Sequence, residues 1–146
     1  MSKIIPTISS GTAGPLGVLH LPRLWQKVSL HCVGKLHPDY PAAGKGYDQM
    51  TLDALGIDRE AFMIYMRQKK PTYIACEKWI LDLKGGSLDA SAIRKHNEAV
   101  LGYNHSPETR KEILQSCGIV DNGSITDAVN LNNLDDWQGF HQAEIA

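Results

Sequence analysis

The first 38 residues contain no acidic residue, and nothing after Lys111 is lysine or arginine. The whole chain balances 15 basic against 16 acidic residues, a net charge of −1, with an isoelectric point near 6.6. That balance argues against nonspecific nucleic-acid binding, which requires a strongly basic face. Cysteine is scarce and scattered: Cys32, Cys76 and Cys117 form no CxxC, which argues against a disulfide framework or a thiolate zinc site and for a reducing, cytoplasmic setting. No apolar run approaches the ~20 residues of a membrane span, and the first residues lack the apolar core of a secretory signal. No stretch of five or more residues alternates cleanly between apolar and polar, so no sheet is expected. There is no internal repeat and no low-complexity tract.

Chemical motifs are equally sparse. The chain has no GxSxG elbow, no Walker or dinucleotide glycine pattern, and no HxxxH or HExxH. Of the six histidines, none stands at a spacing that would supply three converging metal ligands, so neither a metal nor another cofactor is expected.

What the chain has is a separation of charge. Lys3, Arg23, Lys27 and Lys35 occupy the acid-free beginning. Asp121, Asp127, Asp135, Asp136 and Glu144 occupy the base-free end. The two ends either meet within one fold or offer a surface to a partner, a second copy included. We expect Asp135 and Asp136 to lie within about a Debye length, ~8 Å, of the basic first helix.

At 146 residues the chain is read as one all-α domain of six to eight short helices, residues 20–146, preceded by an extended or mobile arm, residues 1–19. The arm is inferred from the glycines and prolines between Gly11 and Gly17. The first helix is expected from Pro22 to Leu36, with proline at its first turn and an apolar face of Leu21, Leu24, Trp25, Val28, Cys32 and Leu36. A loop follows over His37–Gly46. Short helices are expected from Gln49 to Leu55, closed by Gly56, and from the cap Asp58 to Gln68. Further helices run over Thr72–Lys84, ended by Gly85-Gly86, and Asp89–Leu101. Ser106-Pro107-Glu108 is a strong start signal for a helix ending at Gly118. Two last pieces are expected at Ser124–Val129 and Leu134–Glu144.

The first helix carries the most suggestive pattern. At 100° per residue, Arg23, Lys27 and His31 fall within about 80° of one another, and His20 joins them if the helix reaches back to it. Gly34 lies on the same stripe and leaves backbone approachable. Two cations one turn apart repel weakly in water, and an anion between them removes that cost. The competing interpretation is a solvated basic face, or one paired with the protein's own acids. On the anion interpretation Arg23, Lys27 and His20 bind the ligand, Trp79 supplies an aromatic wall, His31 serves as acid or base, and Asp48 orients or shares the proton. Asp48 has an alternative role as a helix cap, and Trp79 as core. Replacing Arg23 with leucine is expected to abolish anion binding and leave the fold intact.

The segments HLPRLWQKVSLHCVGKLHPDY and YDQMTLDALGID, followed by a tryptophan in a later helix, resemble the domain of unknown function 5069 family of small bacterial proteins. The match rests on Leu21-Pro22-Arg23-Leu24 with Lys27, Gly34 with Leu36, Asp48-Gln49, and Gly56-Ile57-Asp58, and covers the first half of the chain. It implies a compact helical domain of bacterial origin and no established activity. Two functional expectations stand: a protein that binds or acts on a small organic anion, or a non-catalytic interaction module or homodimer joined through its oppositely charged ends.

Overall fold

The computed structural model describes residues 3–146. It is all-α, with seven helices among the described residues: α1 (Leu21–Cys32), α2 (Tyr47–Leu55), α3 (Arg59–Lys69), α4 (Tyr73–Leu83), α5 (Ala90–Gly102), α6 (Pro107–Cys117) and α7 (Ala128–Glu144). Among the described residues the extended chain makes two isolated bridges, Ile4 with Leu36 and Asn104 with Asp127, and no helix is long and apolar enough to cross a membrane.

The helix starts follow local chemistry. Asp58, Thr72, Asp89, Ser106 and Asp127 each accept a hydrogen bond from a first-turn backbone N–H, satisfying donors that have no partner inside the helix. The stops at α2 and α6 are glycines in the left-handed region, Gly56 at φ 65° and Gly118 at φ 72°.

Two expectations about the elements need correction. Helix α1 ends at Cys32 rather than Leu36, because Gly34 takes φ 71° and turns the chain away. Gly34 therefore terminates the helix and does not sit on its stripe. The last two expected helices are one: Ser124–Thr126 stay in a loop, and Asp127 caps a continuous α7.

Helix α1 is central and packs against α2, α3 and α4; α2 packs on α5, and α7 on α5 and α6. The main core joins Val18, Leu21, Leu24 and Val28 with Leu52, Phe62, Met66 and Ile80. A smaller cluster of Ile113, Leu114 and Leu131 holds α6 to α7.

The described part of the arm, from Lys3 onward, is extended but docked. Ile5, Ser10 and Val18 are buried. Gln26 of α1 acts as a clamp: its Oε1 accepts from the N–H groups of Thr7 (2.9 Å) and Ile8 (3.1 Å), and its Nε2 donates to Thr7 Oγ1. Asn97 of α5 holds the far end, accepting from Leu19 N–H and donating to the Gly17 carbonyl. A side chain can thus replace the β-ladder or helix as partner for extended backbone. The docked arm brings its middle against the N-terminal end of α1.

Candidate functional site

The N-terminal end of α1 has an unusual construction. Its cap residue is His20, at φ 73°, in a region that non-glycine residues rarely occupy. His20 makes no side-chain cap. Its ring instead turns inward and is buried, with Nδ1 2.9 Å from Ser10 Oγ and Nε2 2.5 Å from Asp48 Oδ1. A strained backbone that aims a polar side chain into the interior is a recurring mark of functional sites.

Asp48 stands in the first turn of α2, where the helix dipole favours a carboxylate. It does not cap that helix, whose cap is Gly46. Besides His20, it accepts from Lys27 Nζ at 2.6 Å and from Gly44 N–H at 2.6 Å. Burial raises the Asp48 pKa, but the hydrogen bond from His20 and the charge of Lys27 outweigh it and hold the carboxyl well below the usual carboxylate range. An ionised Asp48 accepts only, so His20 Nε2 carries the hydrogen and Nδ1 presents its lone pair to the Ser10 hydroxyl. Burial lowers the pKa of His20; the hydrogen bond and charge of Asp48 oppose this, while Lys27 and Arg23 add to it. Lys27 is likewise pushed down, chiefly by burial.

One turn before Lys27, Arg23 Nη1 donates to Asp136 Oδ2 at 2.6 Å and to the Ile8 carbonyl at 2.9 Å, and Nη2 donates to Asp136 Oδ1 at 3.2 Å. Tyr40 donates to Asp136 Oδ1 as well, and its phenol is pushed well up by burial and by the Asp136 charge. The basic and acidic ends of the chain therefore meet at a buried ion pair, as the charge separation suggested. Asp135, exposed beside the buried Asp136, has its carboxyl pKa raised by partial desolvation and by that neighbouring charge.

These groups line a cavity of about 480 Å³. A further wall is the loop from Asp39 to Gly46, fixed by Arg59, which donates to the carbonyls of Ala43 and Gly44 and to Gln49 Oε1, and Tyr103, His105 and Asn132 line the cavity as well. Tyr47 closes one side, with its ring centroid 5.4 Å from that of His20, its hydroxyl donating to the Val100 carbonyl, and its pKa pushed up to about 12 by burial. Two grooves of similar volume lie elsewhere. One is walled largely by Leu16, Leu81, Leu88, Ile93 and Leu101, the other by Ile5, Ile8, Trp137 and Phe140. Neither gathers a comparable set of charged groups, so the chemistry points to the smaller cavity.

The structure thus brings Arg23, Lys27, His20 and Asp48 together, and leaves out His31 and Trp79. His31 is exposed in the last turn of α1, about 12 Å along the axis from Arg23, while the cavity opens at the other end. A shared stripe on a helical wheel says nothing about position along the helix. Trp79 stacks on Tyr65 with centroids 4.0 Å apart and packs on the main core. Ser10 and Tyr40 escaped the sequence reading. Ser10 sits in an unremarkable glycine-flanked turn, and only the docking of the arm reveals it. Among the described residues no group of three or more His, Cys, Asp or Glu could hold a metal ion. Compared with family models, curated proteins and solved structures, the chain matches none.

Proposed function

We infer that the protein binds a small organic molecule in the cavity between α1, α2 and α7, and that this ligand is an oxygen-rich monoanion such as a monocarboxylate. The observation that carries the reading is the way the two cations are held. Lys27 has three N–H donors and gives one to Asp48; Arg23 has five and places three hydrogen bonds on Asp136 and Ile8. Each is neutralised yet keeps donors for a further acceptor. With His20 and His105 neutral, Arg23, Lys27 and Lys45 face Asp39, Asp48, Asp135 and Asp136 around the cavity, so carboxylates outnumber the permanent cations. A dianion would add to that excess, whereas a single carboxylate can share the remaining donors. The earlier expectation of an anion held by bare positive charge is narrowed accordingly.

The residues that carry the resemblance to the domain of unknown function 5069 family include Arg23, Lys27 and Asp48. We propose membership on that ground, and the same three residues line the cavity. The three free cysteines suit a cytoplasmic, reducing setting. The use of Asp136 within the chain removes the main reason to invoke a partner for the charged ends.

Melting temperature measured against acetate, butyrate, succinate and phosphate tests the reading, because a ligand that binds only the folded state stabilises it by mass action. Acetate or butyrate should raise it, with NMR shifts at Gly44, Gly46 and Tyr47. Equal or larger effects from succinate or phosphate, or shifts clustered elsewhere, would overturn the monoanion assignment.

A further inference from the structure

We propose that Ser10 is a nucleophile activated by His20 and oriented through Asp48, and that the cavity cleaves small carboxylic esters. The proposal rests on the cavity being the ligand site. It takes the class of ligand one step further, because the acid released from such an ester is the monocarboxylate the cavity suits.

The geometry is a continuous relay. The Ser10 hydroxyl faces His20 Nδ1 at 2.9 Å, and His20 Nε2 faces Asp48 at 2.5 Å. Serine, imidazole and carboxylate in that order are the parts of an acyl-transfer relay, recognised by geometry rather than by position in the chain. The ring is used in the reverse sense from the familiar one, with Nδ1 toward serine. Either nitrogen can serve as base once the other is held as N–H, and Asp48 holds Nε2 in that state. All three residues border the cavity.

The steps balance. Ser10 Oγ bonds to the ester carbonyl carbon as its proton passes to His20 Nδ1. The oxyanion forms in the cavity that also holds the charges of Arg23 and Lys27. The carbonyl reforms, the bond to the alkoxy oxygen breaks, and the departing alcohol takes the proton from His20. Water then attacks the acyl-serine, giving its proton to His20. When that adduct collapses, Ser10 leaves with the proton, and a carboxylic acid is released that ionises in solution. Asp48 stays ionised throughout and stabilises the imidazolium.

A structural alternative is that Ser10 merely fills the hydrogen-bonding need of a buried histidine. Reaction with a fluorophosphonate separates the two, since a serine with no activating base is inert toward it. The unmodified protein should gain the mass of one adduct, mapped to Ser10, and should hydrolyse p-nitrophenyl acetate or butyrate. Ser10→Ala should lose both and keep its fold by circular dichroism, while Ser9→Ala should keep both. Butyrate should protect against labelling. No adduct on Ser10, or ester turnover that survives Ser10→Ala, would overturn the nucleophile even if butyrate still raises the melting temperature. Labelling of Ser10 without any effect of carboxylates would instead uphold the nucleophile and remove the monoanion reading.

Discussion

At the scale of single residues, Arg23 shows how burial changes a forecast. From sequence, its replacement by leucine is expected to abolish anion binding and leave the fold intact. Its guanidinium and the Asp136 carboxylate are both nearly inaccessible. Arg23→Leu therefore strands a buried charge and should destabilise by about 3–5 kcal/mol in urea denaturation. Replacing Asp136 with leucine as well should recover most of that loss; a double variant as unstable as the single one would show that packing, not the orphaned charge, is responsible. His20 gives a pH prediction. Its folded pKa lies below the ordinary imidazole value, so the unfolded chain binds its proton first as pH falls. The His20 contribution to stability should be flat above about pH 6.5 and decline below it. The depressed Asp48 carboxyl adds a second loss below about pH 4, toward its own lower folded value. Burial sets the first effect, with the Lys27 and Arg23 charges adding to it and Asp48 opposing it, and the His20 ring resonances should titrate with a midpoint below 6.5. A midpoint above that value would contradict the arrangement. The sequence points to Arg23, Lys27, His20 and Asp48 as a group and to Asp136 near the first helix; the burial that sets these effects, and the place of Ser10 beside His20, come only from the tertiary fold.

At the scale of elements, more could be read in advance. Capping chemistry is local, and Asp58, Asp89 and Ser106 announce their helices correctly. Ser106 Oγ accepts from Thr109 N–H at 3.2 Å, so Ser106→Ala should cost about 1 kcal/mol, measured as a shift in the urea midpoint. No change would mean that water replaces the cap at no cost. The errors came where the pattern was misleading. Gly34 was read as part of a helical face, although glycine is also the residue best able to end a helix. Helix α7 was broken in two because its apolar residues do not form one stripe. Trp137 and Phe140 remain exposed, while Asp136 points inward to Arg23. A helix that buries a charge for a specific partner violates the rule by which amphipathic helices are recognised. The arm's glycines and prolines suggest an extended or mobile segment; that Gln26 and Asn97 clamp it is visible only in the fold.

For the whole molecule, the separation of charge turns out to be a folding instruction. The N-terminal excess of base and the C-terminal excess of acid are joined by Arg23 and Asp136, 113 positions apart. Because this pair is buried, mobile ions screen it poorly. Melting temperature should change little between low salt and ~1 M sodium chloride, where the Debye length shrinks to ~3 Å. A steep fall with salt would indicate that exposed pairs, such as His37 with Asp39, carry more weight than their accessibility suggests.

The bridge from Arg23 to Asp136 also has a consequence for the order in which the chain is made. On the ribosome, α1 emerges long before α7, and chains commonly begin to fold from the N-terminus while synthesis continues. Arg23 then has no counter-ion, and the carbonyl of Ile8 alone cannot compensate a guanidinium withdrawn from water. The carboxylate that Arg23 needs and the wall that α7 gives the cavity arrive together, so the site assembles only once α7 has been made.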